Sequence, residues 1–257
     1  MINNFENLFE HVRLFEHKTR NVRVGLYPGA FKPPHIGHYT AALENLKKND
    51  IVYVIISGQS RGKGEDKITA DESEKIWNLY RTYNGDSNLR IIRADNHNDS
   101  GSGAVSTVIT ATYDAVHLLN NKGEYTPTSK FTEPHPAAQQ IYTDLKSFDI
   151  CTVRVHAGRE DFKGRYSGFP FDGDDKDKRY IGKGVDKVIK GTNKRLASAS
   201  SIRPYIASYR GTDIKTSNDV REKILAGALK YDDFSSIRKN LPGDDDLKDA
   251  VIDVLLS

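Results

Sequence analysis

Seven residues, Ile51-Val52-Tyr53-Val54-Ile55-Ile56-Ser57, constrain the fold more than any other stretch of the chain. Six in a row are apolar, and all six are β-branched or aromatic. Such a run reads as a strand buried on both faces, which belongs in a parallel sheet covered by helices on each side. Upstream, Val22, Val24 and Leu26 alternate with Arg23 and Gly25, as in a strand. Between the two, Tyr39, Ala42, Leu43 and Leu46 recur at helical spacing. Strand, helix, strand is the unit of a parallel sheet, so the expected class is α/β and doubly wound. Leu89–Ile92 and Ile150–His156 are read as further strands, 70–83 and 105–119 as helices. Thr69 and Glu72 form a capping box for the first of these helices.

The organisation expected around that sheet has three parts. Residues 1–21 carry an N-terminal amphipathic helix, with Phe5, Leu8, Phe9, Val12 and Phe15 on one face. Residues 22–211 form the main domain, with a Pro- and Thr-rich surface insertion near 120–147. Residues 212–257 form a C-terminal helical extension. Tyr166–Arg195, glycine-rich and charged, is read as a lid or solvated loop. Its acidic run lacks the glycine and closing glutamate of a calcium loop. The loop Gly58–Gly64 lacks the spacing and hydroxyl of a P-loop, which leaves Arg61 and Lys63 as candidate substrate contacts.

A chain of 257 residues, 37% hydrophobic and 28% charged, can bury a sizeable core. The single cysteine, Cys151, rules out a disulfide framework within one chain and is expected to pack as a small hydrophobe. A net charge of +3 permits an anionic substrate without arguing for a nucleic-acid surface. No apolar run is long enough for a membrane span. The first residues carry acids and no signal-peptide core, so a cytoplasmic protein is expected.

The first strand runs into Gly29-Ala30-Phe31-Lys32-Pro33-Pro34-His35-Ile36-Gly37-His38. Gly29 lets the backbone approach a partner closely, and Pro33 and Pro34 stiffen the turn. His35 and His38 are three apart at the mouth of a helix, so their imidazoles share a face. Gly37 has no side chain to block a ligand. The helix start offers unpaired N–H groups and the positive end of a dipole, a ready anion site.

This segment resembles the H-x-G-H signature of the nucleotidyltransferase superfamily, within its G-x-F-x-P-x-H-x-G-H frame. The resemblance implies a Rossmann-like sheet and a reaction in which an acceptor phosphate attacks the α-phosphorus of a nucleoside triphosphate and pyrophosphate leaves. It implies that His35, His38 and Lys32 act on the phosphates. Main-chain groups of Gly29, Ala30 and Phe31, with Gly37, would line the nucleotide. Mg2+ would be carried by the triphosphate, with no metal site of the protein's own.

A second element, Ala197-Ser198-Ala199-Ser200-Ser201-Ile202-Arg203, resembles the superfamily's I-S-x-T-x-I/V-R signature, with serine where threonine is usual. Ser198, Ser200 and Arg203 would hold phosphate; Ser200 can also cap the helix that follows, and Pro204 suits a helix's early turn. Thr216–Arg221 and Ser235–Arg238 are rival copies of the frame. Gly158 and Asp161 resemble a Gly-x-Asp-type segment that lines the nucleotide pocket after a late strand. His135, between two prolines, does not look like a placed ligand.

No R-T-E-G-I-S-T-like segment of cytidylyltransferases is present, so the resemblance favours ATP, with nicotinamide mononucleotide as the first acceptor to test and CTP as the alternative. Polar, insertion-rich members of this kind resemble those of large bacteriophages. A class I aminoacyl-tRNA synthetase would need a K-M-S-K-S-like loop, which is absent. A non-catalytic nucleotide sensor on the same fold is the reading from another class, and homo-oligomerisation is left open.

Overall fold

The computed structural model describes residues 20–97, 105–127, 132–158, 165–166, 180–185, 199–210 and 212–257. The expected N-terminal helix lies outside these residues, as do Asp161 and Ser198. Five strands, β1 (Asn21–Gly29), β2 (Ile51–Ser57), β3 (Leu89–Ala94), β4 (Ile150–Gly158) and β5 (Tyr180–Val185), form one sheet in the order β3-β2-β1-β4-β5. Every adjacent pair is parallel. β2 is buried along its whole length, as its unbroken apolar run requires.

Among the described residues the helices are α1 (Ile36–Leu46), α2 (Ala70–Asn84), α3 (Ser106–Asn120), α4 (Pro136–Leu145), α5 (Ala199–Tyr209), α6 (Ser217–Leu225), α7 (Tyr231–Arg238) and α8 (Asp245–Leu256). Alternation along the strands divides the core in two. Tyr27, Val52, Val54 and Ile56 face α1, α2 and α5–α8, with Trp77, Ile206 and Val251 fully buried there. Val24, Leu26, Tyr53 and Ile55 face α3 and α4. Helices on both faces of a parallel sheet make the Rossmann-like, doubly wound α/β class expected from the sequence. The capping box at the start of α2 forms as expected, and Gly85 closes that helix in the left-handed conformation.

Two expectations need correction. The stretch 120–147 is no surface insertion at its end: α4 buries Ala137, Ala138, Ile141 and Leu145 against α3 and the sheet. His135 is fully enclosed and caps α4, its Nδ1 accepting from Ala137 N at 3.1 Å while its main-chain N–H donates to the Asp114 carboxylate at 2.8 Å. Within Tyr166–Arg195, Tyr180–Val185 is not loop but strand β5. Cys151 packs against the α3–α4 side of the core as a small hydrophobe should, half-buried, with Sγ 3.9 Å from the Leu145 carbonyl.

The C-terminal helices are part of the core on the α2 side of the sheet, where Val220, Phe234, Ile237, Val251, Ile252 and Leu255 are buried. The chain builds β1, β2 and β3 in one direction, then crosses to place β4 on the other side of β1. The switch point therefore lies between β1 and β4, whose last residues are Gly29 and Gly158. Ligands of such sheets bind beyond the carboxyl ends of the strands at this point.

Candidate functional site

The turn Gly29–His38 leaves β1 at that edge. Phe31 adopts a positive φ of 49° and folds its ring back over Gly29, where an added Cβ would lie 2.5 Å from the ring. A bulky residue at positive φ is sterically costly and needs its surroundings to hold it. Here the holding group is aromatic. The Phe31 ring meets Trp77 edge-on at 5.2 Å between centroids, and Tyr27 at 5.1 Å. Its other neighbour is His38, edge-on at 4.9 Å. His38 in turn stacks on His35 at 3.7 Å, with planes 26° apart. The two imidazoles are thus paired, and Phe31 buttresses the pair from behind. His35 is buried, whereas Gly29, Ala30, Gly37 and His38 keep partial exposure and form the accessible rim.

His35 is the N-cap of α1, and its Nδ1 accepts from Gly37 N at 3.1 Å. An accepting Nδ1 leaves Nε2 to carry the ring's proton. The Ile36 N–H donates to the Asn240 carbonyl at 2.9 Å, and the His38 N–H to the His35 carbonyl at 2.9 Å. The first N–H groups of α1 are therefore not unpaired, contrary to expectation. The C-terminal extension and His35 itself occupy them, so the anion-binding power of this turn falls to its side chains and to the dipole.

The main chain of the turn is braced from several elements. Ser73 Oγ donates to the Phe31 carbonyl at 2.7 Å, and the Tyr80 hydroxyl to that of Pro34 at 3.3 Å, both from α2. Arg203 Nη1 donates to the Lys32 carbonyl at 3.1 Å from a position 171 residues along the chain. Nothing local in the sequence marked Ser73, Tyr80 or Asn240 for this work.

Lys32, expected to neutralise phosphate, is turned inward in this structure. It is 1% exposed, and its ammonium donates to the Ser57 carbonyl at 2.9 Å and to that of Thr69 at 3.1 Å. These carbonyls are the two stems of the loop 58–68, so the ammonium pins the base of that loop to the turn. Burial lowers its pKa from 10.5 to about 8, assisted by the charge of Arg93 and opposed by Glu72, Asp71 and Asp95.

The three Ser/Thr–Arg frames separate by location. Arg203 of the first reaches the turn. In the second, Thr216 caps α6 by accepting from Asp219 N at 3.2 Å, and Arg221 pairs with Asp249. In the third, Arg238 pairs with Asp245 at 2.6 Å and with Asp249. Both rival arginines are engaged in holding the C-terminal helices together. Ser200 is the second residue of α5 rather than its cap, and Pro204 lies a turn inside that helix instead of at its start. Arg203 also faces Asp66, whose Oδ1 and Oδ2 lie 3.3 and 3.4 Å from Nε. Gly158 ends β4 beside β1. No helix among the described residues is long and apolar enough to cross a membrane.

No family model and no curated protein matches this sequence. Among solved structures, the chain is similar to a protein from Vibrio parahaemolyticus described as a nicotinate-nucleotide adenylyltransferase, at 13% identity and a TM-score of 0.41, covering 91% of this chain and 99% of that one. It is also similar to a bifunctional NMN adenylyltransferase/ADP ribose pyrophosphatase from Francisella tularensis, solved with AMP and manganese, at 12% identity and 0.41 over 76% and 43%. A third is the Plasmodium falciparum nicotinic acid mononucleotide adenylyltransferase complexed with NaAD, at 13% and 0.36 over 78% and 89%. All three are described as adenylyltransferases of nicotinate or nicotinamide mononucleotides, which are nucleotidyltransferases. Likeness at this level leaves the function of this chain to its own residues.

Proposed function

We propose that the chain is a nucleotidyltransferase that moves an adenylyl group from ATP to a phosphate-bearing small molecule such as nicotinamide mononucleotide. The observation that carries this reading is the stacked pair His35–His38 on a braced turn that also receives Arg203. A phosphate oxygen of the acceptor attacks the α-phosphorus. The bond from that phosphorus to the bridging oxygen breaks, and its electron pair leaves on pyrophosphate. The substrates carry every reacting atom, so the protein's part is placement and charge stabilisation.

His35 and His38 are assigned to the phosphate oxygens, where ring N–H groups meet the negative charge that develops on the departing pyrophosphate. Ala30 and Phe31 border the α-phosphate through their main chain, and Gly29 and Gly37 leave room for it. Arg203 supplies the planar cation, with Ser198 and Ser200 preceding it in sequence. Gly158 and Asp161 are assigned to the nucleoside side of the cleft. Lys32 is reassigned from phosphate contact to bracing, because both of its carbonyl partners are main-chain groups of the fold.

Mg2+ enters as the counter-ion of the triphosphate, which supplies its oxygens. Its ligands are assigned to the phosphate oxygens of the nucleotide. The test is pyrophosphate release from Mg-ATP, with Mg-CTP in parallel, across nicotinamide mononucleotide, nicotinate mononucleotide and other phosphate monoesters. Release with ATP and one acceptor supports the reading. ATP binding without release for any acceptor would replace it with a nucleotide sensor.

A further inference from the structure

We infer that Asp66 is a resting-state occupant of Arg203, a carboxylate that holds the guanidinium until a polyphosphate displaces it. This deepens the functional reading above and rests on its assignment of Arg203 to the nucleotide's phosphates. Three observations carry it. First, the contact is a poor ion pair. Asp66 Oδ1 approaches Nε to 3.3 Å but is buried with no hydrogen bond, and Oδ2 accepts only at 3.4 Å. Charge-assisted bonds between well-aligned partners are markedly shorter. Second, the other anchor of Arg203 is independent of the pair: Nη1 donates to the Lys32 carbonyl at 3.1 Å, which keeps the guanidinium at the turn when the carboxylate leaves.

Third, the two partners differ in freedom. The Arg203 side chain is 15% exposed and belongs to α5, whereas Asp66 is 40% exposed and ends a single 3-10 turn, Gly64–Asp66, whose first residue has positive φ, as does Gly62 just before it. The stems of its loop are pinned by Lys32, and Arg61 and Ile68 pair through two backbone hydrogen bonds of 2.9 and 2.8 Å. The loop's base is thus fixed, and the carboxylate can swing out without disturbing it. A planar guanidinium has five donors and binds phosphate through two of them, so an incoming phosphate and Asp66 compete for the same edge.

The test uses the full chain and isothermal titration calorimetry with Mg-ATP and with inorganic tripolyphosphate. Five proteins are compared: wild type, Asp66→Asn, Asp66→Ser as a second neutral replacement, Arg203→Gln and the Asp66→Asn, Arg203→Gln double variant, with thermal melts to confirm folding. Removing one like charge about 4 Å from a bound phosphate should tighten both ligands about fivefold. The gain should fall below about twofold in the Arg203→Gln background, because it acts through Arg203. Equal or weaker binding by both Asp66 variants overturns the inference and leaves the functional reading standing. A gain of the same size without Arg203 also overturns it, since the effect would then be bulk charge. If wild type binds neither ligand, the assignment of Arg203 to phosphate falls, and this inference falls with it.

Discussion

The buried ammonium of Lys32 sets up a pH test that can be worked through from the structure. Its pKa is lowered from 10.5 to about 8, chiefly by burial. Between those values the unfolded chain binds more protons than the folded one, so stability rises with pH across that window. The direction follows from the charge: below about pH 8 the fold carries a desolvated cation, and above it the lysine becomes neutral while its carbonyl partners stay in place. A displacement of this size corresponds to about 3 kcal/mol in all, of which about 2 kcal/mol is released between pH 7 and 9.5. Lys32→Met preserves length and removes the titration. It also leaves the Ser57 and Thr69 carbonyls without their donor, a cost of about 2 kcal/mol. The variant should therefore stand about 1 kcal/mol ahead of wild type at pH 7 and about 1 kcal/mol behind it at pH 9.5, a relative change of about 2 kcal/mol. Urea melts of both proteins across that range measure the difference, and titrations common to both cancel. A difference constant to within about 0.5 kcal/mol would refute the placement of this ammonium.

Two further substitutions test the braces of the turn. Ser73→Ala should cost about 1–3 kcal/mol in a urea melt, because the buried Phe31 carbonyl loses its 2.7 Å donor; a loss of under about 0.5 kcal/mol would mean that the carbonyl is satisfied elsewhere. Gly29→Ala places a methyl 2.5 Å from the Phe31 ring, and should cost about 1–3 kcal/mol while releasing the edge contact to His38. The expected signature is a fall in turnover larger than the loss of stability explains, measured as kcat at a temperature where the variant is folded.

The sequence announced the sheet through β2, whose unbroken apolar run has no other comfortable home, and the end of β1 through the turn itself. It was legible at α2 because capping is local chemistry: Thr69 and Glu72 need only each other and the helix. β5 was not legible, since Gly182 and Gly184 erase the alternation that marks a strand and Lys183 interrupts it. α4 was hidden by the prolines before it, although Ala137, Ala138, Ile141 and Leu145 recur at helical spacing. Within the site, the imidazole pair could be read because residues three apart at the start of a helix share a face. The inward turn of Lys32 could not, because it depends on two carbonyls that belong to other elements. The occupation of the Ile36 N–H by Asn240 was equally silent, being a main-chain contact between distant segments with no residue preference.

Pyrophosphate release by wild type and by the His35→Ala, His38→Ala double variant, with Mg-ATP and a mononucleotide acceptor, tests the assignment of the stacked imidazoles most directly. The expected result is release by wild type and a loss of at least about 100-fold in the variant, measured at a temperature where its melting curve shows it folded. Undiminished release without the two rings would contradict it, as would a folded wild type that binds ATP and turns over no acceptor at all.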